Sequence, residues 1–262
     1  MTRKIISLSL VAVCSLLSPL FASADNHEEA PGNLAEVWFI APKQGMEPEF
    51  MAALREHIAY RAETGEAREW DTFTVALGHN TSMIQIRSCC FDWADLDGYA
   101  DAELGSERGA HWNENVHPYV DHYHHYLERS DREHSHWPDD ESTAGPYYSV
   151  TTWTLKPGAG PEPGEARRKF SQMAKEKGWG DAGNNWLWLQ RIGGKPTLML
   201  VGSDASYADM APPETSFMEH MKEQGVSEDE LSALFEAFDA GKASSDFTIW
   251  RHDKSLSTPS AD

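Results

Sequence analysis

The stretch Val37-Trp38-Phe39-Ile40-Ala41-Pro42-Lys43-Gln44-Gly45-Met46-Glu47-Pro48-Glu49-Phe50 decides the fold. Its first half, from Glu36 to Ala41, is a short apolar run that stops at a glycine turn, the mark of a β-strand. Its second half opens a helix. From Pro48 to Arg61 the residues Phe50, Leu54 and Ile58 recur at helical spacing, with proline near the start and Gly65 soon after the end. A strand that turns directly into a helix is the first half of an α/β unit.

The same beginning occurs again. Lys156-Pro157-Gly158 also ends an apolar strand-like run, 113 residues after Lys43-Gln44-Gly45. Trp93-Ala94-Asp95-Leu96 is matched by Tyr207-Ala208-Asp209-Met210, 114 residues on, and Trp137 by Trp250, 113 residues on. Three anchors in one order at nearly one spacing predict an internal repeat.

Each copy reads β-α-β-β-α-β, the ferredoxin-like order. In the first, strands are expected at Glu69–Leu77 and Ser82–Cys89, where Ile84 and Ile86 alternate with Gln85 and Arg87. A second helix is expected over Pro118–Arg129 and a last strand over Arg132–Trp137. In the second copy, Tyr148–Leu155, Asn185–Ile192, Thr197–Val201 and Asp246–Arg251 read as strands. Gly164–Lys177 and Glu214–Ala240 read as helices, the latter broken near Gly225 and restarted by Ser227. The expected organisation is therefore an α+β chain. Residues 25–138 form one ferredoxin-like unit, 139–146 a linker rich in acid and proline, 147–254 a second unit, and 255–262 a disordered tail.

The quoted opening resembles that of the dimeric α/β-barrel proteins, the antibiotic-biosynthesis monooxygenase-like and NIPSNAP-like families. These share an apolar strand, a Lys-Pro-Gly-type turn, an acidic cap and a helix bearing phenylalanine. Phe91-Asp92-Trp93-Ala94-Asp95-Leu96 resembles the segment that follows their third strand. The resemblance covers most of residues 34–252. It implies that the two units close one barrel within a single chain. The families include cofactor-free oxygenases, haem-using enzymes and isomerases, so the resemblance implies no single reaction and carries over no catalytic residue.

The N-terminus begins with Arg3 and Lys4, continues through an apolar run from Ile5 to Phe21, and reaches Ala22-Ser23-Ala24. Positive start, short apolar core and small-x-small site predict a signal peptide over residues 1–24 and an exported, periplasmic or secreted protein. No later stretch suits membrane insertion. With 42 acids against 22 lysines and arginines the net charge is −20, which disfavours nucleic acid as a partner. Cys89 and Cys90 remain beyond the signal peptide. Adjacent strand residues point to opposite faces, so the expectation is two buried small residues, with a vicinal disulfide or a metal thiolate as alternatives.

Two groups are candidates for a site. His134 and His136 share a strand face in the expected last strand, where the repeat places Phe247 and Ile249, and such a pair offers two metal nitrogens. His117 and His124, on one flank of the expected helix, would add ligands for a metal or haem. The second group is Trp38, Trp70, Trp153, Trp186 and Trp188 on expected strands, which either pack the core or line a cavity for a small hydrophobic molecule. The functional expectation is a binding or oxygenase-like barrel. A non-enzymatic envelope module without cofactor is the alternative.

Overall fold

The computed structural model describes residues 32–66, 68–103, 105–138 and 144–258. The expected signal peptide and most of the linker lie outside them. Eight strands and six α-helices follow in order: β1 (Leu34–Pro42), α1 (Glu47–Glu63), β2 (Asp71–Leu77), β3 (Ile84–Phe91), α2 (Trp93–Glu103), α3 (Glu107–Asn115), β4 (Val120–Ser130), β5 (Tyr147–Leu155), α4 (Glu162–Glu176), β6 (Leu187–Ile192), β7 (Thr197–Asp204), α5 (Phe217–Glu223), α6 (Glu228–Ala240) and β8 (Lys242–His252). The strands close an antiparallel barrel in the order β1-β3-β2-β8-β5-β7-β6-β4.

Local chemistry explains the elements. Helix α1 starts with Pro48 and with Glu47 and Glu49 in its first turn, where negative charge suits the helix dipole. Its buried face is Phe50, Ala53, Leu54, His57, Ile58 and Arg61. Helices α3 and α6 are capped by Ser106 and Ser227, whose side chains accept from Gly109 N and Glu230 N. The full capping box lies one helix earlier than expected, at Ser216 and Glu219 of α5.

The barrel wall has two faces with different chemistry. Outward, Ile40, Ile84 and Ile86 pack with Phe50, Leu54 and Ile58 of α1. On the other half, Trp153, Trp188 and Leu198 pack with Phe170, Leu231 and Phe238 of α4 and α6. Inward, two smaller apolar clusters face the barrel interior, one around Val37, Phe39, Tyr126 and Trp250, the other around Leu187, Leu189, Met199 and Val201. Each fully buried leucine or phenylalanine contributes about 1.5–3 kcal/mol of transfer free energy.

The two halves run through the same pairing pattern. Trp38 lies opposite His125 in β1–β4, and Thr151 lies opposite Phe247 in β5–β8. The register breaks at Pro42 opposite Val120 in one, and at Leu155 opposite Lys242 in the other. The first strands are thus offset by 113 residues and the last by 122. The longer β7–β8 connection, with α5 and α6, accounts for the difference.

That offset corrects two expectations. Residues 118–129 are not a helix but mostly strand β4, and Arg132–Trp137 is not a strand. Only His136 there makes an isolated bridge, to Trp186. The helices of this half come earlier, as α2 and α3. Tyr119, Val120, Tyr123 and Tyr126 are residues that favour a pleated surface. Polar side chains on the inward face of β4 removed the apolar alternation that marks a strand. Trp250 therefore corresponds in register to Glu128 rather than Trp137, and Phe247 to His125 rather than His134.

Two smaller corrections follow. Cys89 and Cys90 are not free buried residues but are bonded to each other as a vicinal disulfide, across a cis peptide bond. Residues 255–258 of the expected tail pack on the barrel, with Lys254–Leu256 forming a short 3-10 helix. Leu256 is fully buried and its carbonyl accepts from Thr72 Oγ1 at 2.5 Å. Among the described residues no helix is long and apolar enough to cross a membrane.

Candidate functional site: a polar and aromatic cavity inside the barrel

Side chains that point inward from the strands enclose a cavity of about 330 Å³. This lies at the small end of the range for ligand pockets. Its aromatic wall comes from Phe39, Phe73, Tyr126, Tyr148, Trp137 and Trp250. Phe73 meets Tyr148 edge-on at 5.3 Å between centroids, and Phe39 meets Trp250 in the same way at 5.8 Å. These are the tilted geometries that aromatic quadrupoles prefer.

Charged groups are set into this wall at definite places. Arg191 on β6 lies opposite Glu128 on β4, with Nη2 3.5 Å from Oε1. The guanidinium also sits over the rings of Phe39 and Tyr126, 5.2 and 4.6 Å from their centroids. Glu128 is 3% exposed, so removing Arg191 leaves a buried carboxylate without its counter-ion. On another part of the wall, Asp71 on β2 lies opposite Arg87 on β3. Asp71 Oδ1 is 3.0 Å from His252 Nε2, and the imidazole stacks on Phe73 at 5.0 Å. At the rim, His79 Nε2 approaches Asp246 Oδ1 at 3.6 Å.

The charges obey no symmetry between the halves. Through the registers, the counterparts of Asp71 and Arg87 are Leu187 and Val201. Those of Glu128 and Arg191 are Trp250 and Val75. Where one half carries ions, the other carries apolar side chains.

The five candidate tryptophans lie outside this cavity. Trp153, Trp186 and Trp188 are buried between the wall and its helices, with Trp188 Nε1 donating to Ser171 Oγ at 2.8 Å. Trp70 is in the corresponding core of the first half, and Trp38 packs against that core while stacking on His125 at 3.9 Å. The tryptophans of the cavity are Trp137 and Trp250.

The four candidate histidines are not brought together. His134 Nδ1 is 2.9 Å from Asp131 Oδ1, and Asp131 Oδ2 accepts from Arg167 Nη2 at 2.5 Å. Burial alone would raise the Asp131 pKa, but His134 and Arg167 hold it below the ordinary carboxylate value. His136 is exposed and tilts against Trp186, His117 hydrogen-bonds the Tyr123 hydroxyl at 2.8 Å, and His124 alone of the four lines the cavity, at its exposed rim. Among the described residues no group of three or more histidine, cysteine, aspartate or glutamate side chains is placed to hold a metal ion. Haem fits no better, because the cavity is small for a macrocycle and its two lining histidines, His79 and His124, are both exposed.

The charged side chains of the cavity wall that sequence reading passed over are Asp71, Arg87, Glu128 and Arg191, with His252 beside Asp71. Their signal was present. In Ile84-Gln85-Ile86-Arg87 the isoleucines face the helices and the polar residues face the barrel interior. Alternation looks the same whether the polar face meets solvent or a cavity.

No family model matches the sequence, and a search of curated proteins finds no match. Solved structures do resemble the fold. A candidate monooxygenase from Fusobacterium nucleatum aligns with a TM-score of 0.54 at 8% identity, over 85% of this chain and 93% of the other. A candidate monooxygenase from Lactobacillus acidophilus aligns at 0.48 and 9%, over 85% and 95%. Chlorite dismutase from Candidatus Nitrospira defluvii aligns at 0.46 and 9%, over 87% and 94%. The likeness to the first of these is one of fold, an α+β protein with a closed eight-strand antiparallel barrel, consistent with a dimeric α/β barrel.

Proposed function

We propose that the chain is an exported, oxygenase-like barrel that takes a small, largely aromatic molecule into its interior. The observation that carries this reading is the 330 Å³ cavity, walled by aromatic rings and set with a few convergent polar groups. The fold shared with the Fusobacterium nucleatum candidate monooxygenase supports the oxygenase class. Asp71 and His252, 3.0 Å apart, are an acid and an imidazole of the kind that exchanges a proton with a bound phenol or acid. The matching registers of the two halves support an origin as two fused ferredoxin-like units. The Cys89–Cys90 disulfide and the residues 1–24 support export to an oxidising compartment.

The test is fluorescence titration of the purified protein with 2-naphthol, because Trp137 and Trp250 line the cavity and report occupancy. Saturable quenching is expected. A Val150→Trp/Leu189→Trp variant, which fills the space, should abolish it. Oxygen uptake is then measured with electron-rich phenols. Quenching that is absent, or unchanged in the filled variant, overturns the binding reading and leaves a structural module.

A further inference from the structure

We infer that Arg87 is the anchor for an anionic group, and that the cavity's ligand is an aromatic carboxylate. This inference rests on the cavity being a ligand site, as proposed above, and names the class of molecule it takes.

Each carboxylate in the lining already has a partner. Glu128 faces Arg191 at 3.5 Å, Asp71 faces His252 at 3.0 Å, and Asp246 faces His79 at 3.6 Å. Arg191 is committed in turn, to Glu128 and to the rings of Phe39 and Tyr126. Arg87 remains. It lines the cavity and is half-buried, and its side chain makes no hydrogen bond or ion pair among the described residues. Its neighbour across the strands, Asp71, turns its carboxylate to His252 instead.

Such a residue needs a reason to be there. A guanidinium stays charged at any relevant pH, and half-burying one in a cavity wall with no counter-ion brings no ion-pair energy to offset the hydration it loses. Packing does not require it, since Val201 fills the matching position of the other half. Nor does the general charge balance, because the chain carries an excess of acid and most arginines could pair locally. A planar fork of donors matches a carboxylate in a bidentate pair, which is stronger and more directional than a single neutral hydrogen bond. The aromatic rings of the same cavity supply the surface for the remainder of the molecule.

The experiment compares 2-naphthoate with 2-naphthamide, which share ring and shape but differ in charge. Affinities for each are measured by tryptophan quenching on the wild type, Arg87→Gln, Arg87→Lys and Arg191→Gln. The wild type should favour the naphthoate by about tenfold or more. Arg87→Gln should erase that preference and leave naphthamide binding unchanged, with Arg87→Lys in between. If Arg87→Gln does not fold, Arg87→Lys and the wild-type preference carry the comparison. Equal affinities in the wild type, or a preference that survives in Arg87→Gln but falls in Arg191→Gln, overturn the anchor while the cavity reading stands. Failure of both probes to bind the wild type overturns the cavity reading and the anchor together.

Discussion

Consider Asp131→Ala. Asp131 follows β4, and Arg167 belongs to α4 in the other half, so the pair crosses the molecule's two sets of elements. Asp131 accepts from Arg167 Nη2 at 2.5 Å, meets His134 Nδ1 at 2.9 Å and accepts from His134 N at 3.2 Å. Arg167 is 8% exposed and lies 5.4 Å over the Trp188 ring. Deleting the carboxylate strands a guanidinium among apolar groups. Loss of one partner of a buried pair costs about 3–5 kcal/mol, but the Asp131 side chain retains 30% exposure and water can replace part of the contact. The expected loss is therefore about 2–3 kcal/mol, or a fall in Tm of about 5–10 °C for a chain of this size. The assay is urea denaturation at pH 7 of Asp131→Ala, Arg167→Met and the double variant. Arg167→Met should cost less than Asp131→Ala, because it leaves no unpaired buried cation. The pair should show a coupling of at least about 1 kcal/mol. The pH dependence has a definite sign. A carboxyl whose pKa is depressed by folding contributes stability above its unfolded pKa and loses it as pH falls through the folded value. Strictly additive single effects, or equal acid sensitivity of wild type and Asp131→Ala, would refute the reasoning.

Three more outcomes are expected. His57 is 2% exposed, and burial first, then Arg61 and His111, lower its pKa to about 3. A histidine depressed by folding destabilises as pH falls below its unfolded value near 6.5, so His57→Leu should recover up to about 2 kcal/mol relative to wild type between pH 7.5 and pH 5, read by denaturant melts at the two pH values. Gly32 and Gly145 precede β1 and β5, and a Cβ on either would overlap backbone, at Phe91 for the first and at Asp204 for the second. Gly32→Ala and Gly145→Ala should each destabilise by at least about 2 kcal/mol in urea melts, and near-neutral values would show that those close approaches are not needed. Truncation after Asp253 removes buried Leu256 and two hydrogen bonds of Thr72, from its Oγ1 to the Leu256 carbonyl and from its N–H to Ser257 Oγ. The expected cost is about 3 kcal/mol by calorimetry, whereas an unchanged Tm would make the segment an ornament of β2.

The barrel class was legible because it rests on short-range signals. The Lys43-Gln44-Gly45 turn, the acidic start of α1 and its Phe50, Leu54 and Ile58 face are all local, and they recur at Lys156-Pro157-Gly158. The β4 region was misread for a physical reason. Its inward residues His124, Tyr126 and Glu128 face a cavity, so the interior face of the strand is mostly polar. A last strand expected over Arg132–Trp137 sets Trp137 against Trp250 and His134 with His136 against Phe247 with Ile249, whereas the register sets Glu128 against Trp250 and His125 against Phe247. The site was least legible because tryptophan carries two messages. Trp153 and Trp188 serve the helix-facing core, and only Trp137 and Trp250 reach the cavity. Sequence periodicity tells that two faces exist, and closure of the barrel decides which of them is inside.

The unequal placement of charge around the barrel has a further consequence. A barrel closed by two identical chains presents every inward residue twice, and a guest can enter in two equivalent directions. Here Arg87 and Asp71 face one part of the interior while Leu187 and Val201 hold the corresponding place opposite. The two directions of entry therefore differ in energy. A molecule with one polar end, bound as proposed, would have a single preferred pose rather than a choice between two seats related by a two-fold axis. On the proposed reading, a reaction in such a chamber would always meet the same edge of its guest, and regiochemistry would follow from where the chain has kept its charges.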